Sequence, residues 1–183
     1  MRSKIFLSLV LVLMLYNIIF AQSRQLVELS LAGSLQVFTD EDQTQYLINI
    51  PVRAGFFATK NFEIEAEFAL TAPEDGELGY VLSGLLSYNL VLPSGIKPFV
   101  LAGYGFTNSY PIITNNVVSG SEGLSLGVLN LGAGVKVPIG SKAALRAEYR
   151  FQNFTGEQDF GPSSLDVDFQ IHSLLTGISV FLP

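Results

Sequence analysis

The chain has 183 residues, enough for one domain, and it is 49% hydrophobic with only 14% charged residues, an apolar excess that an ordinary soluble domain does not need. Its net charge of −6 argues against a nucleic-acid binder, which needs a basic face. With no Cys and a single His, the sequence offers no disulfide, no lipid-bearing N-terminal Cys and no zinc site built on those ligands, and no cofactor motif is found.

Arg2 and Lys4 form a short basic segment ahead of the apolar run Ile5 to Phe20, and Ala21-Gln22-Ser23 resembles a cleavage site. The run is short for a spanning helix, which needs about 20 apolar residues, and Asn17 interrupts it. Residues 1–21 are therefore expected to be a cleaved signal peptide, with residues 22–183 as the mature domain. Losing Arg2 and Lys4 leaves eight basic residues against sixteen acidic ones, a charge of −8 with His neutral.

From residue 24 onward the hydrophobic pattern repeats every two residues, the period of a strand with two different faces. Val27, Leu29, Leu31, Leu35 and Val37 share one face, and Glu28, Ser30, Ala32, Ser34 and Gln36 the other. Next, Tyr46, Ile48, Ile50, Val52, Ala54 and Phe56 oppose Asn49 and Arg53, and then Phe62, Ile64, Ala66, Phe68 and Leu70 oppose Glu63, Glu65 and Glu67. The pattern predicts eight strands at 26–38, 45–57, 62–71, 79–90, 97–107, 124–137, 143–153 and 167–182. The connections 58–61, 91–96 and 138–142 are short. Those at 39–44, 72–78, 108–123 and 154–166 are mostly longer and polar. Short and long connections alternate, as in an up-and-down barrel whose two ends differ.

Alternation alone also fits a soluble eight-stranded barrel with its apolar face turned inward. The polar face discriminates. It carries Glu28, Glu63, Glu65, Glu67 and Glu148 with Arg53, Lys136, Arg146 and Arg150. These nearly balanced charges suit the narrow interior of an eight-stranded barrel, although a solvated face would tolerate them too. On the apolar face Tyr46, Tyr80 and Phe151 fall near the long connections, and Phe56, Phe62, Tyr88 and Phe99 near the short turns. Two such girdles flanking Leu, Ile, Val and Ala match a bilayer. Phe68 and Tyr149 fall somewhat deeper. Gly132 and Gly134 share the inward face, where a tight barrel needs small residues to bend. Pro51 interrupts the second strand and predicts a bulge. Val81, Leu85 and the run Phe99–Phe106 leave their faces open. The reading is an all-β, eight-stranded, antiparallel, up-and-down transmembrane barrel in contact with outer-membrane lipid, with the nine charged residues in an internal ion-pair network.

Three segments, Lys97-Pro98-Phe99-Val100-Leu101-Ala102-Gly103-Tyr104-Gly105, Leu145-Arg146-Ala147-Glu148-Tyr149-Arg150-Phe151 and Ile171-His172-Ser173-Leu174-Leu175-Thr176-Gly177-Ile178-Ser179, carry a resemblance. The chain resembles the eight-stranded outer-membrane β-barrel superfamily that includes the OmpA transmembrane domain and OmpX. That resemblance implies a bacterial outer-membrane location. It also implies recognition by the outer-membrane assembly machinery of a last strand that usually ends in Phe, whereas this chain ends Val180-Phe181-Leu182-Pro183.

Function is less legible. A lipid deacylase would need Ser, His and an acid oriented together. The only His, His172, shares a strand face with Asp168, Gln170 and Leu174, while Ser173 points the other way. Asp40, Glu41, Asp42, Glu74, Asp75, Glu77, Glu122, Glu157, Asp159 and Asp166 make the long connections acidic, with neither Lys nor Arg among these positions. Carboxylates suit hard cations, yet no complete calcium motif is present. The expectation is a non-enzymatic protein with a structural envelope role or adhesion-like contact with a surface partner through these connections. The alternative is a lipid-modifying enzyme or a narrow pore.

Overall fold

The computed structural model describes residues 27–40, 43–73, 78–107, 126–160 and 163–183, with side chains described at all of these except 36–40, 43–46, 73, 157–160 and 163–167. The expected signal peptide and the acidic side chains of the long connections lie outside the described residues. Eight strands run in chain order: β1 Val27–Asp40, β2 Gln43–Phe57, β3 Phe62–Pro73, β4 Gly79–Asn89, β5 Lys97–Thr107, β6 Leu126–Pro138, β7 Ala143–Phe160 and β8 Ser163–Leu182. Each pairs antiparallel with its sequence neighbours, and β1 pairs with β8 to close the barrel. Over the paired length, closure leaves no strand edge, the condition for a sheet to sit in lipid, where an unpaired backbone group finds no water.

The faces follow the two-residue period. In β3, Phe62, Ile64, Phe68 and Leu70 are exposed on the outside, whereas Glu63, Glu65 and Glu67 are buried in the lumen. Leu82, Leu86, Val100, Leu131, Leu145, Leu174 and Ile178 join a continuous apolar exterior. A soluble monomer rarely exposes a contiguous apolar patch above about 300–600 Å². Here that surface encircles the molecule. Val81 and Leu85 turn inward, and β5 points Phe99 and Leu101 inward and Val100, Tyr104 and Phe106 outward. Phe99 is thus not part of the outer girdle. Its parity is set by the rung pairing Lys97 with Lys136, which places this side of β5 toward the lumen.

Three local features differ from the sequence expectations. Pro51 produces no bulge. The register of β1 on β2 is the same at Leu31↔Val52 and at Ser34↔Asn49, with the pairing interrupted only between those rungs, opposite Pro51 and Ile50. Losing a donor removes a rung, whereas a one-residue shift would turn every later side chain to the wrong face. The segment 154–166 is mostly strand, not loop: β7 and β8 stay paired from Thr155↔Asp168 to Phe160↔Ser163. The extension is polar in sequence, with Thr155, Glu157, Gln158, Asp159, Ser163, Ser164 and Asp166, while Phe154 at its base lies inside. Likewise 39–44 narrows, because β1 and β2 pair as far as Asp40↔Gln43.

The short turns are built locally. At 92–95 the Gly95 amide donates to the Leu92 carbonyl at 2.9 Å, with Pro93 following Leu92 and Gly95 at φ 82°. This is a type I turn closed by a left-handed residue, which glycine adopts without strain. At the β2–β3 turn, Thr59 Oγ1 accepts from the amide of Phe62 at 3.0 Å.

Candidate functional site

The nine charged residues singled out in the sequence all lie in the lumen, and each is at most 3% exposed. Nearest the short turns, Lys136 Nζ donates to Glu28 at 2.6 Å and to Glu63 at 2.8 Å. Ser179 donates to Glu28 at 2.6 Å, and Ser87 and Asn89 each donate to Glu63 at 3.2 Å. Arg146 bridges upward, reaching Glu28 at 3.3 Å, Glu65 at 3.1 Å and Glu148 at 3.0 Å. Glu148 is the hub. It also accepts from Arg53 at 2.8 Å and from Arg150 Nε at 2.7 Å. Arg53 and Arg150 then meet at Glu67, Arg53 lying directly opposite it in the β2–β3 register.

Small residues make room for these groups. A side chain at Gly55 would collide with the Glu63 carboxylate, and one at Gly134 would collide with Phe99 and the Ala147 carbonyl. Phe99 in turn lies under the cations, 4.5 Å from the Arg146 guanidinium and 5.3 Å from Lys136 Nζ. Aromatic faces attract cations, so an apolar ring belongs here.

Toward the long connections the network ends in neutral groups. Arg150 donates to Asn130 at 3.1 Å, Gln152 donates to the same oxygen at 2.9 Å, and Asn130 donates to Ser83 at 3.3 Å. Above them Ala69, Val81, Leu126, Val128, Phe154 and Ile171 pack as a cluster, with Phe169 against it and stacked on Phe154 at 4.5 Å. Sequence reading had not assigned Asn130, Gln152, Ser87, Asn89 or Ser179. Asn130 and Gln152 sit at even spacing from Lys136 and Arg150 on their own strands, which was the available signal, whereas Ser87 and Asn89 lie on β4 and Ser179 on β8, where no charged residue of the network marks the inward face.

Outside, Phe62 and Tyr88 pack edge to face at 5.1 Å near the short turns. Near the long connections Phe68 stacks with Tyr80 at 6.0 Å, and Tyr104 meets Phe106 at 5.5 Å. Phe68 therefore joins the upper girdle. Tyr46, placed in the same girdle by the sequence, has a side chain outside the described residues. Phe151 lies 5.2 Å from His172, ring to ring. His172 is itself exposed on the outer surface, its Nδ1 2.6 Å from the Tyr149 hydroxyl, and Ser173 is buried on the opposite face. The Ser and His of a catalytic pair thus diverge across the barrel wall.

An apolar outer belt, aromatic rims and a charge-filled lumen define a membrane-spanning eight-stranded barrel. Solved structures share this fold. The chain is similar to Neisserial surface protein A (NspA) at a TM-score of 0.65 and 12% identity, covering 87% of this chain and 98% of that one. It is similar to the N-terminal barrel domain of Pseudomonas aeruginosa OprF at a TM-score of 0.57 and 20% identity, with coverage of 87% and 98%. Against the outer membrane protein OprG of P. aeruginosa the TM-score is 0.57 and the identity 12%, with coverage of 85% and 94%. No protein-family model and no curated protein matches the sequence.

Proposed function

We propose that the chain is a non-enzymatic bacterial outer-membrane protein, a plugged barrel that reinforces the envelope and presents its acidic long connections to a surface partner. The observation that carries this reading is the inversion of the usual soluble pattern: exposed Leu, Ile, Val and aromatic residues surround a lumen of buried Glu, Arg and Lys. Eight strands leave an interior just wide enough for side chains, whereas porins of 16 or more strands keep an aqueous channel. Residues 1–21 serve as the export signal in this account, and the strand ending at Leu182 serves as the handle for the assembly machinery. The short turns then face the periplasm, as in barrels of this class.

Fractionation and electrophoresis test the location. The protein is expected in outer-membrane fractions, with migration in detergent gels that shifts on heating. Recovery as a soluble periplasmic species without detergent would contradict the reading. A deletion strain scored for envelope permeability and surface adhesion tests the role, and replacing 108–123 by a short Gly-Asn turn is expected to preserve folding and remove any adhesion. Planar-bilayer recordings of refolded protein are expected to show no steady channel. Stable, large single-channel steps would instead establish a pore.

A further inference from the structure

The wall closes between β1 and β8 over a short stretch. Their pairing runs from Val27↔Leu182 to Gly33↔Thr176 and stops there, although β1 continues on β2 to Asp40 and β8 continues on β7 to Ser163. At the other seven seams, pairing on the long-connection side reaches within two residues of the end of one strand. Continued in the same register, Leu35 would meet Leu174. Instead these two are 63% and 74% exposed, against 56% and 50% for Leu31 and Ile178 on a paired rung below, so the strands part. Leu174 pairs on its other side with Tyr149, below the rim residue Phe151, which puts the parting within the apolar belt. From Ser34 onward, the β1 backbone groups turned toward β8 have no rung partner across the seam, and hydrocarbon offers them none.

Behind the parting, Ser34 and Asn49 face each other on the β1–β2 ladder. Ser34 is 7% exposed, and its Oγ and the Oδ1 of Asn49 are both buried without a hydrogen-bond partner among the described residues. Buried polar atoms are nearly always bonded, so these oxygens mark a place for a group from outside the chain. One hydroxyl suits both, accepting from Ser34 Oγ and donating to Asn49 Oδ1. On the outer face above Leu174 stand the exposed His172, Gln170 and Asp168. The described Lys and Arg residues lie in the lumen or toward the short turns, so an anionic head finds no partner here. We propose that the parted β1–β8 seam is a lateral binding site for an uncharged, hydroxyl-bearing amphiphile. Its hydroxyl reaches between the strands to Ser34 and Asn49, and its hydrocarbon chain stays in the bilayer against Leu35 and Leu174. The edges of β1 and β8 face each other within the wall, so a slender polar group enters between them where a second barrel does not. This goes beyond the envelope role proposed above and rests only on the membrane-spanning fold.

The probe is a monoacylglycerol whose chain carries a photoreactive diazirine, mixed into phosphatidylcholine vesicles that hold the refolded full barrel, with labelled peptides mapped by mass spectrometry. Labelling is expected to concentrate around Leu35 and Leu174. Monooleoylglycerol is expected to displace the probe at a mole fraction about tenfold lower than methyl oleate, which has the same chain and no donor. Ser34→Ala and Asn49→Leu are each expected to weaken that displacement by about tenfold, as the loss of one hydrogen bond requires. Leu35→Cys combined with Leu174→Cys ties the strands together on oxidation, which is expected to remove the labelling, and reduction to restore it. Heat-shifted migration confirms that each variant is folded. Labelling spread evenly around the barrel, or equal displacement by methyl oleate, would overturn the site. So would displacement unchanged in both Ser34→Ala and Asn49→Leu, which leaves water alone on these oxygens. A cross-linked dimer through a single Leu174→Cys, without concentrated labelling, would also overturn it and give the seam to a second copy of the chain.

Discussion

The lumen is filled in two ways along its length. Toward the short turns, five carboxylates and four cations are held at hydrogen-bonding distances, and removing one group leaves its partners charged and dry. Toward the long connections, the cluster of Leu126, Val128, Phe154 and Ile171 fills the same cross-section by packing alone. Both halves exclude water, but they encode position differently. Ion pairs are directional and tie strands far apart in sequence, such as Glu28 to Lys136 and Arg53 to Glu148. An apolar plug tolerates rearrangement at smaller cost. The exterior gains little from strand association in lipid, so inward contacts must specify which strands close on which.

Substitutions break this comparison in a graded order, measured by urea unfolding of the barrel refolded in lipid vesicles. Glu148→Ala removes the acceptor shared by Arg53, Arg146 and Arg150 and is expected to cost about 4 kcal/mol, because it strands buried cations. In the other half, Leu126→Ala leaves a cavity with no stranded charge and is expected to cost about 3 kcal/mol. Equal losses for chemically matched sites in the two halves would blunt the distinction. Gly55→Ala forces Glu63 to move and is expected to cost about 2 kcal/mol, with Ala at the exposed Gly84, which has open space around it, as the neutral control. Tyr149→Phe deletes the hydroxyl that meets His172 on the outer surface and is expected to cost about 1 kcal/mol or less. A larger loss there would show that the exterior contributes more than the lumen account allows.

How far these halves could be read in the sequence depended on contrast between faces. The β3 run Phe62-Glu63-Ile64-Glu65-Ala66-Glu67-Phe68 alternates between lipid and ion pairs, so its strand and its faces were legible together. Strand β5 gave no such contrast. Phe99 and Leu101 face the lumen while Val100 and Ala102 face outward, and hydropathy is alike on both sides. Only pairing with β6 decides it, which is why Phe99 and Lys97 were misplaced or unassigned. The end of β7 and the start of β8 were read as loop for the opposite reason: Thr155-Gly156-Glu157-Gln158-Asp159 and Gly161-Pro162-Ser163-Ser164 are polar and rich in turn residues, without the apolar alternation that signals a membrane strand. The apolar plug was hidden because Val81, whose face the sequence left open, sits inside with Leu126, Val128, Phe154 and Ile171 on a face otherwise read as polar. Of the network, the charged members were legible from parity, but the partners each chooses depend on the barrel's closure and not on any local pattern.

The central claim is that the polar face is the lumen and the apolar face meets lipid. Because the chain lacks Cys, single cysteines report each face without background. Cysteines placed in turn at Leu82, Ser83, Leu86 and Ser87 of β4, each carrying a small fluorophore, can be read in vesicles containing a lipid-chain quencher. Strong quenching is expected at Leu82 and Leu86, which are 56% and 59% exposed, and little at Ser83 and Ser87, which are 4% and 1% exposed. Uniform quenching along the strand, or stronger quenching at the serines, would contradict the account.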